Sequence, residues 1–243
     1  MSENPEIVSV KNYSARYLTM GLLSMPLLFL ISAVIGIPIV ILNLASNIVA
    51  GVGLTVVAEI LTIILALSYV DQLKNWKELL KLKNFNKKNI ILLFSLGIFL
   101  FISLQIYAAI VEQFLSPVES SDTSQSLGEI GGFTKYVVLL LITPILVPII
   151  EEIFFRGLII SFIQKGISKT QTANIVAITV SAFYFTIAHL QGTELKDFVL
   201  LFWILVIAII NAIVYIKTES LYNTIAIHLG YNLITGVSII LGT

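Results

Sequence analysis

Seven stretches of this chain, at roughly 17–44, 47–70, 90–114, 135–164, 172–190, 198–216 and 220–241, are long and apolar enough to cross a bilayer. A transmembrane helix needs about 20 mostly apolar residues. In hydrocarbon every backbone N–H and C=O must find its partner inside the protein, so such a chain folds as a bundle of helices. The expected class is therefore all-α, a polytopic transmembrane helix bundle. The first stretch is long and carries Pro26 and Pro38. It reads either as one kinked or tilted span or as two shorter ones, which makes the count seven or eight. Composition agrees, with 58% hydrophobic and 12% charged residues where soluble domains carry roughly a quarter charged. A formal net charge of zero gives no basic bias, so nothing points to nucleic acid as a partner. The absence of cysteine excludes a disulfide framework, a thiolate metal site and a cysteine nucleophile. The polar N-terminus MSENPEIVSVKNYSAR precedes an apolar run too long for a signal peptide core, so it is expected to be retained.

Orientation follows from lysine and arginine in the short loops. Lys11, Arg16, the six lysines between Asp71 and Asn89, Lys165, Lys169 and Lys217 share one side, eleven in all. The other side holds Lys135, Lys196 and an acidic, serine-rich loop around Glu119, Asp122 and Glu129. The lysine-rich side is expected to be cytoplasmic, in a cell membrane, with the N-terminus inside and, for seven spans, the C-terminus outside. DQLKNWKELLKLKNFNKK has leucines at helical spacing and a tryptophan. It suits an amphipathic piece on an anionic leaflet, or a solvated basic loop that only sets topology.

This placement leaves one basic residue, Arg156, inside a span. An ionisable group at membrane depth costs several kcal/mol, so it faces the bundle interior and has a partner or a function. Glu152 and Arg156 are four residues apart on one helix face and can pair. Glu151 is rotated about 100° from Glu152 and faces elsewhere. One reading is a buried charge cluster that locks helices together. The chain's only two histidines point to another, because both are intramembrane: His189 with Phe185 one turn before it, and His228 with Asn232 one turn after. At a rise of about 1.5 Å per residue, Glu151 lies about 20 Å from the cytoplasmic end of its span, His189 about 25 Å and His228 about 12 Å. Helix tilts near 20° absorb such differences. The last four spans would then enclose one polar cavity.

A carboxylate and an imidazole in such a cavity can hold and deprotonate a water molecule. A second histidine and an amide four residues apart can donate hydrogen bonds to the oxyanion formed when water adds to a carbonyl. Together these are the parts of peptide hydrolysis. With no cysteine, and no serine or threonine that sequence matches to either histidine, a covalent nucleophile is not indicated.

EEIFFR at Glu151 to Arg156, FTIAH at Phe185 to His189 and HLGYN at His228 to Asn232 occur in this order on successive polar spans. They resemble the EExxxR, FxxxH and HxxxN/D signatures of the CAAX protease and bacteriocin-processing (CPBP/Abi) family of intramembrane endopeptidases, over about residues 136–236. The resemblance implies that Glu151 and His189 activate the hydrolytic water, that His228 and Asn232 stabilise the oxyanion, and that Glu152 with Arg156 organises the helix, with Phe185 packed beside the site. It also implies a division into an N-terminal part, 1–134, of three spans with the basic loop, and a catalytic four-helix core, 135–243. The substrate would be a membrane-tethered peptide or protein, either prenylated and CAAX-type or bacteriocin-related. The family's name invokes a metal, and Glu151, His189 and His228 would offer zinc two imidazoles and a carboxylate with an open position. They come from three helices with no HExxH pair; glutamate-based catalysis without metal is the preferred reading and zinc stays open. Family members often show about eight helices, which leaves the side of the C-terminus open.

Glu59, Gln105, Glu112 and Asn211 are further polar residues at or near membrane depth. Glu59 could line the cavity, admit water or bond a neighbouring backbone, and Glu112 is expected at the outer interface. Pro144 and Pro148 free backbone carbonyls just before Glu151, widening the helix or merely kinking it. Two other functions remain: a catalytically silent immunity or scaffold protein with the same fold, and a proton-coupled transporter. The transporter would show inverted repeats, and the sequence shows none.

Overall fold

The computed structural model describes residues 5–41, 48–82, 85–111, 113–114, 132–190 and 195–241, and all regular structure among them is helical. The helices are α1 (Pro5–Ile41), α2 (Ile48–Tyr69), α3 (Trp76–Leu79), α4 (Lys87–Val111), α5 (Gly132–Gly166), α6 (Thr170–Ala188), α7 (Leu195–Thr218) and α8 (Leu221–Leu241). All but α3 are long and apolar enough to span a bilayer, which makes this a multi-pass membrane protein. Helix α1 continues through Pro26 and Pro38, so the first apolar stretch is one span and the described residues hold seven. Lys83, Glu112, Glu119, Asp122 and Glu129 lie outside the described residues.

Helix α5 is the centre of the bundle. In its most apolar window 39% of residues are buried, against 17–33% in the other spans, and every residue from Phe154 to Ile163 is buried. It is not a uniform α-helix: wider π-helical segments at Val138–Leu146 and Ile153–Ile160 flank a short α-helical piece, Val147–Glu152. Proline explains the first widening. An i→i−4 ladder cannot include Pro144, whose ring displaces the preceding turn, and the wider winding makes room for it. The hydroxyl of Thr143 accordingly donates five residues back, to the Val138 carbonyl at 2.9 Å. π segments of this kind recur at functional sites.

The spans are apolar nearly all round, so small residues decide where helices touch. Helix α8 lies along α4 and also packs on α5. A Cβ at Gly97 would overlap the Ile227 carbonyl, and one at Gly230 would overlap the Phe94 carbonyl. The first three spans therefore belong to the same packed body as the last four. Several hydroxyls inside the spans are satisfied within their own helices, as Thr62 to the Ala58 carbonyl at 2.7 Å and Thr186 to the Ala182 carbonyl at 2.8 Å show.

Lysine-rich segments gather at one end. Arg16 pairs with Asp71 at 3.2 Å, and Lys81 reaches Glu219 at 3.7 Å and Gln164 at 3.4 Å, joining the ends of α1, α2, α5 and α7. Burial pulls the Lys81 ammonium below the ordinary lysine range, while Glu219 opposes the shift. The basic stretch after α2 is anchored to the bundle. Among its described residues one helical turn, α3, forms, and Leu79 and Leu80, 4% and 1% exposed, plug the bundle core. Leu80 sits against Gly157, where a Cβ would come within 2.9 Å of its side chain.

Candidate active site

Position along α5 sets the first part of the site. Glu151 and Glu152 close the short α-helical piece, and Arg156 lies in the π segment that follows. The side chains of Glu152 and Arg156 have no solvent exposure and meet at 3.0 Å between Oε1 and Nη1. The contact is one of charge more than of alignment, because none of the guanidinium nitrogens makes a well-formed hydrogen bond. The arginine instead lies over the Phe185 ring, its Cζ 4.4 Å from the centroid, a cation–π contact in a desolvated setting. Glu152 Oε1 also accepts from His228 Nδ1 at 2.9 Å and from Asn211 Nδ2 at 3.4 Å. The pairing expected from i,i+4 spacing is thus present and larger than expected: one carboxylate ties α5, α7 and α8 together.

His228, on α8, stands between the two glutamates. Its Nδ1 is held by Glu152, and its Nε2 is 3.6 Å from Glu151 Oε2, beyond direct hydrogen-bond length but close enough for one water molecule to serve both. Glu151 itself is partly accessible, at 13% of its side chain. Its nearest imidazole partner is therefore His228, whereas the resemblance pairs it with His189.

His189 caps the end of α6, where the last carbonyls of a helix lack amide partners. The backbone N–H of His189 turns to the Thr186 carbonyl, and the Phe185 carbonyl is left to the His189 ring, 2.8 Å from Nδ1. A carbonyl only accepts, so Nδ1 carries the hydrogen, and Nε2 is the ring nitrogen left for another partner. Phe185 joins the two histidines: it stacks on His189 at 4.3 Å between centroids and meets His228 edge-on at 5.8 Å.

Asn232, one turn beyond His228, donates through Nδ2 to the Thr143 carbonyl at 3.4 Å. The wide winding of α5 explains why that carbonyl is free. The N–H of Val147 bonds five residues back, to Ile142, so the next donor would reach Thr143, but residue 148 is a proline and has no N–H. One amide hydrogen of Asn232 remains for another acceptor. In the second π segment Ser181 serves similarly, its hydroxyl 2.8 Å from the Phe155 carbonyl.

The structure thus brings Glu151, Glu152, Arg156, Phe185, His189, His228 and Asn232 to one region where α5, α6 and α8 meet. Among the described residues no group of three His, Cys, Asp or Glu side chains is arranged to hold a metal ion. His228 Nδ1 faces Glu152 and His189 Nδ1 faces a carbonyl, which leaves the two Nε2 atoms and the Glu151 carboxylate as the groups that would hold the zinc the resemblance left open. Sequence reasoning ranked Asn211 among stray polar residues, and the isolation of an amide inside a span was the signal that it belonged here.

Residues 133–234, which carry all of these groups, match the family model described as type II CAAX prenyl endopeptidase, Rce1-like. Over these residues the chain is similar to an Rce1-like domain. That family is one of CAAX-type proteases, and the match agrees with the motifs EEIFFR, FTIAH and HLGYN in extent and order. Comparison with curated proteins and with solved structures returned no match. The Rce1-like domain covers α5 to α8 nearly end to end, and α1 to α4 precede it.

Proposed function

We propose that this protein is an intramembrane endopeptidase that hydrolyses a peptide bond of a membrane-tethered substrate with an activated water molecule. The observation that carries the reading is the contrast between adjacent glutamates: Glu152 is fully buried and bound on three sides, while Glu151 is partly accessible and, among the described residues, has no hydrogen-bond partner nearer than the 3.6 Å to His228. In this reading Glu151 accepts a proton from water, and the hydroxide adds to the scissile carbonyl to give a tetrahedral oxyanion. The same proton then passes to the leaving amine as the C–N bond breaks. His189 Nε2 orients the water. His228, positioned by Glu152, and the remaining amide hydrogen of Asn232 face the oxyanion; a preorganised donor of this kind is worth about 10²–10³ in rate. Glu152 and Arg156 act on the fold and on His228 rather than on substrate. The eleven basic residues that share one side support a cytoplasmic N-terminus and lysine-rich loop in the cell membrane.

The test uses purified full-length protein in lipid vesicles with two membrane-tethered peptide probes, one farnesylated near its C-terminus and one anchored by an apolar helix, with products read by mass spectrometry. Cleavage of the farnesylated probe three residues from its end supports a CAAX-type substrate. Cleavage of the helix-anchored probe alone supports a peptide-processing role. No cleavage of either, by folded protein over a range of anchors, contradicts the proposal. Activity that survives exhaustive chelation is expected, and loss restored by added zinc would assign the chemistry to a metal.

A further inference from the structure

Glu59 lies in α2, outside the Rce1-like domain, yet it is 3% exposed, and its Oε2 has no hydrogen-bond partner among the described residues. Its own helix does not satisfy it: Thr62, one turn on, gives its hydroxyl hydrogen to the Ala58 carbonyl. Helix α2 packs on the Val147–Glu152 piece of α5, and the Glu59 carboxyl lies within electrostatic reach of Glu151. A buried carboxyl therefore sits on the helix that packs against the segment carrying the proposed base.

Where two carboxyls share a low-dielectric region, the one that is buried without an ion-pair partner keeps its proton, because an isolated ionised carboxylate is too costly there. Their surroundings decide which one that is. Glu151 has His228 at 3.6 Å and shares the field of Arg156. Glu59 has Glu151 as its charged neighbour and no ion pair among the described residues. A buried carboxyl oxygen with no partner also needs a hydrogen bond that its own helix does not provide.

We propose that Glu59 carries a proton and is a positioning residue for the site: its carboxyl donates toward Glu151 through an intervening water molecule and holds the Glu151 carboxylate against His228. This deepens the peptidase reading and rests on it. It means that the Rce1-like domain does not complete its own site, and that a helix from the N-terminal half supplies the last group.

Infrared difference spectroscopy of the full-length protein in lipid vesicles at neutral pH tests the pairing without any need for activity. A carboxylic-acid C=O band is expected in the wild type, absent in Glu59→Gln and shifted in frequency in Glu151→Gln. A band that persists in Glu59→Gln, or one that ignores Glu151→Gln, overturns the proposal. With the probe peptide that the wild type cleaves, Glu59→Leu is expected to lower kcat at least tenfold with KM little changed, and Glu59→Gln, which keeps a donor, to recover most of that loss. Equal activity of wild type, Glu59→Leu and Glu59→Gln also overturns it. If the infrared shifts appear and no probe is cleaved by the wild type, the carboxyl pair stands and the peptidase reading falls.

Discussion

Removing Glu152 should destabilise the protein severely, and removing its neighbour Glu151 should not. Glu152 and Arg156 meet at 3.0 Å with neither side chain exposed. At that separation, with an effective dielectric of about 20, the attraction is about 5 to 6 kcal/mol. Glu152→Leu forfeits it and leaves a desolvated guanidinium whose nitrogens have no other well-formed hydrogen bond. The expected loss is about 3–5 kcal/mol, the usual result of stranding one member of a buried ion pair. Arg156→Met should cost less, because Glu152 keeps His228 at 2.9 Å and Asn211 at 3.4 Å. The double variant should be more stable than Glu152→Leu alone, since replacing both members of a buried pair by apolar groups is often nearly neutral. Its remaining deficit comes from His228 and Asn211, which lose their acceptor. Glu151→Leu, at a partly accessible position, should change stability by less than about 1 kcal/mol. The assay is reversible unfolding in mixed micelles, run as a double-mutant cycle with Glu151→Leu as the control. Strict additivity of the Glu152 and Arg156 changes, or equal losses from Glu151→Leu and Glu152→Leu, would refute the division of labour between the adjacent acids.

Gly230→Ala should lower stability by about 1–3 kcal/mol, as overpacking does, because a Cβ there overlaps the Phe94 carbonyl of α4; an unchanged midpoint of unfolding would show that α4 and α8 do not lie so close. Asn232→Ala should reduce kcat by about 10²–10³ if its free amide hydrogen meets the oxyanion, with KM nearly constant, and a selective rise in KM would place it in substrate binding instead. His189→Ala should abolish cleavage while leaving the unfolding midpoint close to wild type, since its ring bonds only a carbonyl at the end of its own helix.

Much of this arrangement is legible in the sequence because lipid imposes strict rules. Apolar length marks the spans, and the cost of charge at depth singles out Arg156, Glu152 and the two histidines. Spacing of four residues then predicts the Glu152–Arg156 pair, which is present. What spacing along one helix does not contain is the partner across the bundle. Asn211 from α7 and His228 from α8 converge on Glu152, and nothing in their own helices announces it. Helix faces are equally hard to read, because a span that is apolar all round has no stripe to follow. The glycines at 97 and 230 are the marks of the α4–α8 contact, and they become informative only when the opposing carbonyls are known. Pro144 and Pro148 show a middle case: the sequence says that carbonyls are freed, and the structure adds that α5 widens and that Asn232 takes the Thr143 oxygen. Residue types alone also do not say which ring nitrogen is free: each Nδ1 faces an oxygen of the protein, which leaves Nε2 of both histidines for a water molecule or a metal.

The central claim is that Glu151 takes the proton from the attacking water. Its most direct test is cleavage of a membrane-tethered peptide by Glu151→Gln in lipid vesicles, beside wild type of equal thermal stability. The account predicts that this replacement of one carboxylate oxygen by an amide abolishes turnover while the protein stays folded; turnover within a few fold of wild type would contradict it.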